Sequence, residues 1–181
     1  RRKELLEIFN IPFQIREANI KEQIYADETP EQIAMALAFE KAFAVSQNCN
    51  KNTIVVAADT IVVKDQILGK PANFQESYHM LKMLQGDVHD VITGLAVVQA
   101  HSDNKVVSHE KTKVKLKKLS DIQIKKYIET GEGWDKAGSY AIQGKGSAIV
   151  EWIQGDYFNV VGLPISLLYD MLCKYFQISL I

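Results

Sequence analysis

Short apolar runs rich in β-branched residues alternate along this chain with longer segments whose apolar positions recur every three to four residues. Runs of the first kind read as strands and segments of the second kind as helices. Leu5, Leu6, Ile8 and Phe9 mark the tail of a short helix starting near Arg1, and Phe13 to Glu17 is expected to form a strand. Thr29-Pro30-Glu31-Gln32 is a helix start: Thr29 caps, Pro30 suits the first turn and Gln32 closes a capping box. That helix runs through Ala34, Leu37, Ala38 and Ala42 to about Gln47, and Thr53 to Val63 follows as a strand. Asn73 with Glu76 repeats the capping-box pattern, and Gly86 ends the helix it opens. Val88 to Val98 reads as a long strand. Lys111 to Lys117 alternates with period two, so it reads as a strand with a solvated lysine face. Ser120 with Gln123 opens a further helix, closed by Gly131. A strand near Ala148 to Ile153 comes next, and Pro164 opens a C-terminal helix. Strands and helices alternate irregularly, which predicts an α/β fold with a mixed sheet and not a regular doubly wound one.

Composition adds bounds. The 181 residues are 47% hydrophobic and 24% charged, which is ordinary for a globular chain and enough for one large domain or two small lobes. A net charge of −1, with no long basic run, argues against wrapping a nucleic acid polymer but leaves room for a local basic pocket. No apolar stretch reaches membrane-spanning length and no signal-peptide pattern is present, so no membrane partner is expected. Cys49 and Cys173 have neither metal-ligand spacing nor a disulfide framework and fit a reducing, cytoplasmic compartment. The chain opens on Arg1-Arg2 without an initiator Met, so the natural protein is expected to have residues before it.

Asp59 is the residue that turns the pattern toward chemistry. It interrupts the apolar run Thr53 to Val63, and a carboxylate set into such a strand is costly unless paired, hydrogen-bonded or bound to metal. Three loops add candidates. Leu68-Gly69-Lys70-Pro71 holds a lysine on a fixed turn. Asp135 to Gly146 carries three glycines that permit close backbone approach to a ligand. Asn159 to Pro164 is a turn whose amides suit an anion. Neither a Walker loop nor a Rossmann fingerprint is present. His79, His89, His101 and His109 lack metal-ligand spacing and read as surface or packing residues; Trp134 and Trp152 read as core or cleft-wall residues, and Tyr140 as a candidate wall of a base pocket.

The ordered motifs Arg1-Arg2-Lys-Glu-Leu-Leu, Glu40-Lys41-Ala, Ala58-Asp59-Thr60, Gly69-Lys70-Pro71, Thr93-Gly94, Asp135-Lys136-Ala-Gly138, Ile142-Gln143-Gly144 and Val161-Gly162-Leu-Pro164 resemble those of the Maf family of nucleoside triphosphate pyrophosphatases, across essentially the whole chain. The family's opening strand and Ser-x-Ser-Pro turn do not occur in this sequence. The resemblance implies one Maf-like domain over residues 1–181, of the Maf and ITPase kind, with an elongated central sheet, flanking helices and two lobes around a cleft. It implies hydrolysis between the α and β phosphates of a nucleoside triphosphate, with Mg²⁺ or Mn²⁺. The catalytic position falls on Asp59, the metal positions on Glu22 and Asp59, and the substrate positions on Arg1, Arg2, Lys41, Thr60, Lys70 and Gln143. A sister branch acting on 7-methyl-GTP carries Glu at the Gln143 position, so the resemblance is to the dTTP/UTP branch.

The residue types suit those roles. Several cations must neutralise a triphosphate and its leaving pyrophosphate, arginine as a fork and lysine as a point charge. Carboxylate oxygens suit Mg²⁺. The Gln143 amide both donates and accepts, matching the edge of uracil or thymine. Taken singly, Arg1 and Arg2 also read as an exposed helix start, Lys41 as a solvated helix residue and Glu22 as a loop charge. Another base preference, modified pyrimidine nucleotides, and a non-catalytic nucleotide-binding regulator of cell division stay open at this point. So does a homodimer.

Overall fold

A computed structural model describes residues 1–21 and 27–181. The elements are α1 (Arg2–Glu7), α2 (Pro30–Ser46), β1 (Ile54–Val63), β2 (Ile67–Leu68), α3 (Phe74–Leu84), β3 (Val88–Gln99), β4 (Lys105–Leu116), α4 (Asp121–Glu129), β5 (Val150–Gln154), α5 (Tyr157–Val161) and α6 (Ile165–Met171). The strands form one five-stranded sheet in the order β2-β1-β3-β4-β5. The α/β class expected from the sequence holds, and the sheet is antiparallel. Asn52 N–H donates to the Ala100 carbonyl and Ala100 N–H to Thr53, while Gln99 N–H donates to Asn104 across the β3–β4 turn. On the β2 edge Val62 faces Leu68, and on the β5 edge Val114 faces Ile153.

Local chemistry explains the helix boundaries. Thr29 and Ser120 both close capping boxes, with Gln32 and Gln123 returning their side chains to the cap N–H groups at 2.8 Å. Such caps satisfy donors that have no partner inside the helix. Asn73 accepts from Glu76 N–H, but the Glu76 carboxylate takes the Ala72 N–H, one residue upstream of the cap. Gly86 then adopts φ +72 just beyond α3, a left-handed geometry that suits glycine.

The chain forms two compact units. One comprises Arg1–Asp59, Thr93–Glu110 and Gly162–Ile181, the other Thr60–Ile92 and Lys111–Val161. In the first, Ala34, Ala38 and Ala42 form a fully buried stripe along α2, and Ala38 and Ala42 pack with Val55, Ala96 and Val98. These alanines let the helix backbone lie close on β3: a Cβ built on Gly94 would sit 2.0 Å from the Ala34 carbonyl oxygen. The second unit has its own core, including Val62, Leu81, Leu84, Val91, Val114, Leu116, Ile124 and Tyr127.

Two expectations change. Phe13 to Glu17 forms no strand. Ile15 is 65% exposed and Arg16 donates instead to the Asn48 carbonyl at 3.1 Å, so the Phe13 and Ile15 face of the segment is not laid on the sheet. The lysine-rich strand is longer than its alternation suggested and begins at Lys105. Its period is clear only over Lys111 to Leu116, where Thr112, Val114 and Leu116 are buried and Lys111 and Lys113 are exposed.

Candidate active site

The first unit gathers three of the expected residues. Leu37 and Lys41 lie one helical turn apart on α2, so Lys41 stands at the border of the buried stripe. From there its Nζ forms an ion pair and hydrogen bond with Asp59 Oδ1 on β1. Both side chains are mostly enclosed, 22% and 16% exposed. Ion pairs this sheltered from water are screened far less than surface pairs. Arg2, at the start of α1, is held by a 2.7 Å hydrogen bond from its Nε to the Gly162 carbonyl. Burial pulls the Arg2 guanidinium below its ordinary pKa, and the neighbouring Asp59 carboxylate pulls it back up. An arginine stays protonated under such a shift. A carboxylate thus lies within reach of two cations, inside a strand that is otherwise apolar. Arg1 is exposed, and its carbonyl accepts the Leu5 N–H at 3.1 Å as the first bond of α1.

The Asn159 to Pro164 turn serves the interior. Asn159 Nδ2 donates to the Val91 carbonyl at 3.0 Å and to Thr112 Oγ1 at 2.9 Å, anchoring α5.

The second unit holds Thr60, Lys70 and Gln143. Thr60 is half-buried on β1, directly after Asp59. Lys70 is exposed on the loop after β2, and the carbonyl of its neighbour Gly69 accepts the Gly138 N–H at 3.0 Å. That bond ties together two loops the sequence had marked separately. Gln143 is half-buried and precedes a 3₁₀ turn over Gly144–Ala148.

A set of polar contacts, buried at Ser139, Tyr140 and Ala141 and more open at Glu132, fixes the Asp135 to Gly146 loop. Ser77 and Ser139 hydroxyls share a 2.5 Å hydrogen bond. Tyr140 is 5% exposed and its hydroxyl meets His89 Nε2 at 2.6 Å, so Tyr140 is a packing residue here. Burial drives its phenol well above the usual range. Tyr127 Oη accepts the Ala141 N–H at 3.0 Å, and the Glu132 carboxylate accepts the N–H groups of Lys145 and Gly146 at 3.0 and 3.1 Å. Sequence reasoning missed Tyr127 and Glu132, because each acts on backbone more than ten residues away. Glu132, between Gly131 and Gly133, was the available signal. Glu22, expected as a metal ligand, lies outside the described residues. Among the described residues no group of three or more His, Cys, Asp and Glu side chains is gathered.

Comparison with known proteins bears on this arrangement. The family model for Maf-like protein matches residues 1–175. This chain belongs to the Maf-like family. Among its Maf-like relatives, the dTTP/UTP pyrophosphatase of Caldanaerobacter subterraneus subsp. tengcongensis is 51% identical over 180 residues, spanning 99% of this chain and 86% of the relative. The dTTP/UTP pyrophosphatase of Clostridioides difficile is 49% identical over 181 residues, spanning 99% and 93%. That of Thermoanaerobacter sp. strain X514 is 49% identical over 182 residues, spanning 100% and 95%. In the Maf-like chain described here, Asp59, Lys41 and Arg2 form the densest group of charges within one unit among the expected site residues.

Proposed function

We propose that this chain is a nucleoside triphosphate pyrophosphatase that hydrolyses dTTP and UTP to the monophosphate and pyrophosphate. The observation that carries the reading is the sheltered Lys41–Asp59 pair beside Arg2. The names of relatives about half identical over the full chain support the substrate class. In the proposed reaction the oxygen of a water bonds the α phosphorus while Asp59 takes its proton. The bond from that phosphorus to the bridging oxygen breaks, and the electron pair leaves with pyrophosphate. Lys41 holds the carboxylate through Oδ1 and so sets the orientation in which Asp59 meets the water. Arg1, Arg2 and Lys70 neutralise phosphate oxygens, and Lys41 is shared between Asp59 and the substrate. Thr60 and Gln143 face the base.

Of the proposed donor set for a magnesium- or manganese-type ion, Asp59 lies among the described residues, where no group of three or more candidate ligands is gathered. Asp59 supplies carboxylate oxygen, with Glu22 as the second ligand, and such ions complete their shell with phosphate and water. When bound, the ion supplies charge neutralisation on the phosphates. A reducing, cytoplasmic setting belongs to the proposal. It is supported by Cys49 and Cys173, neither of which is in a disulfide, and no helix of the described residues is long and apolar enough to cross a membrane.

The test is pyrophosphate release from a nucleotide panel with Mg²⁺, run on the wild type and on Asp59→Asn. The wild type is expected to favour dTTP and UTP, and the variant to lose at least ~10²-fold in turnover while still binding nucleotide. Near-normal turnover in the variant would remove Asp59 from the catalytic role. Nucleotide binding with no pyrophosphate release from any base would favour a regulatory binder.

A further inference from the structure

The loop that carries Gln143 is held at both ends from one scaffold. Tyr127, on the last turns of α4, accepts the Ala141 N–H through its hydroxyl. Glu132, three residues beyond α4, accepts the Lys145 and Gly146 N–H groups, one with each carboxylate oxygen. Between these anchors stand Ile142, Gln143 and Gly144. Gly144 lies so close to Glu132 that a Cβ there would come within 2.8 Å of Oε1, and its φ of +62 suits glycine. Gly146 is equally hemmed in, its Cβ position falling 1.9 Å from the Ala141 carbonyl oxygen and 2.9 Å from the Tyr127 hydroxyl.

A carboxylate that accepts two adjacent backbone N–H groups makes charge-assisted bonds in a fixed direction, stronger than bonds between neutral groups. The donors lie two and three residues after Gln143, and both point at the same side chain. An amide that reads a base edge must be held to within a fraction of an ångström, which loops achieve only with a supporting shell.

We propose that Glu132 is a positioning residue for base selection: by clamping the Lys145 and Gly146 N–H groups it sets the place and angle of the Gln143 amide. This rests on the reading of Gln143 as the residue that faces the base. Glu132 touches neither the reacting phosphate nor the base. Its loss therefore falls on discrimination among bases and spares the chemistry that every triphosphate shares.

The experiment measures kcat/KM for dTTP and for dGTP in the wild type, Glu132→Gln, Gln143→Ala and the double variant, with thermal melting of each. Glu132→Gln keeps the shape but replaces the charged acceptor pair with one neutral acceptor. Its preference for dTTP over dGTP is expected to fall by roughly tenfold or more, as for loss of a charge-assisted bond. The fall should come through KM for dTTP, with kcat for dGTP little changed. In the Gln143→Ala background the same substitution should do nothing further. Lys145→Pro, which deletes one donor and leaves Glu132 intact, should shift the preference the same way and serves where Glu132→Gln does not fold. An equal loss on both bases, or a Glu132→Gln effect that persists undiminished without Gln143, overturns the proposal. If Gln143→Ala lowers the preference and both Glu132→Gln and Lys145→Pro keep it, the role of Glu132 falls while that of Gln143 stands. If Gln143→Ala itself keeps the preference, the base-reading role falls and this inference with it.

Discussion

A carboxylate and an ammonium enclosed together at the edge of a core lose solvation that their mutual attraction only partly restores, so such a pair is weak evidence for stability. The proposed function gives the Lys41–Asp59 contact a role, and of its two members only the carboxylate was legible in the sequence. Asp59 betrayed itself by interrupting an apolar strand; Lys41 did not, because a lysine on a helix normally reads as solvated. Glu132 was hard to read for a different reason: its partners are backbone N–H groups, which carry no residue identity, and only its place between two glycines marked it. At Gln143 the chemistry gives a sharp prediction. The amide offers a donor and an acceptor to uracil or thymine, whereas an ionised Gln143→Glu side chain offers acceptors alone and faces a carbonyl unfavourably. It would also stand two residues before the segment clamped by the Glu132 carboxylate. Efficiency with dTTP and UTP is expected to fall by more than ~10-fold, an unpaired polar group costing roughly 1–3 kcal/mol. Equal losses for every base in a nucleotide panel would mean that Gln143 supports the loop or the phosphates instead.

Helices, strands and loops differ in how far local sequence decides them. The capped starts at Thr29 and Ser120 were readable because every participant lies within four residues. The absent strand at Phe13 to Glu17 and the early start of β4 at Lys105 were not, since a strand is defined by a partner elsewhere in the chain. The contact of α2 with β3 joins both levels. Alanines along α2 look merely helix-favouring in sequence, and Gly94 looks like a weak point in a strand; together they remove the side chains that would hold the two backbones apart. Gly94→Ala would drive a Cβ into the Ala34 carbonyl at 2.0 Å and the Met35 nitrogen at 2.5 Å. Neither can rotate away, so the expected cost is near the upper end for overpacking, about 2–3 kcal/mol, or roughly 5–10 °C in Tm for a chain of this size. Gly69 has nothing within 4 Å of its Cβ position and takes alanine as the stability control. Thermal melting decides: a Gly94→Ala variant as stable as Gly69→Ala would mean that the helix shifts away at little cost.

For the molecule as a whole, unfolding couples to pH through a group the proposed chemistry leaves aside. His89 is 3% exposed on β3, and its Nε2 meets the Tyr140 hydroxyl while its Nδ1 has no hydrogen-bond partner among the described residues. An imidazolium needs acceptors at both nitrogens, so the buried ring favours the neutral form. Burial is the main cause and Lys64 adds to it. Asp90 and Asp87 oppose them, and the net effect lowers the pKa from 6.5 to about 4. The unfolded chain therefore binds a proton near pH 6.5 that the folded chain refuses until about pH 4. Stability from this group is complete above the first value, declines as pH falls between the two, and levels off below the second. At about 1.4 kcal/mol per pH unit the loss is on the order of 2 kcal/mol by pH 5. Asp87 and Asp121 are held below the usual carboxylate range by Lys64 and Lys82, so their contributions are lost only at lower pH, outside this window. His89→Gln keeps a polar partner for Tyr140 and removes the titration. Its stability is expected to be lower than the wild type's at pH 7, with the gap narrowing by on the order of 2 kcal/mol at pH 5. Denaturant unfolding of both proteins across that range measures the gap, and curves that stay parallel would show that His89 is protonated at no cost in the folded chain.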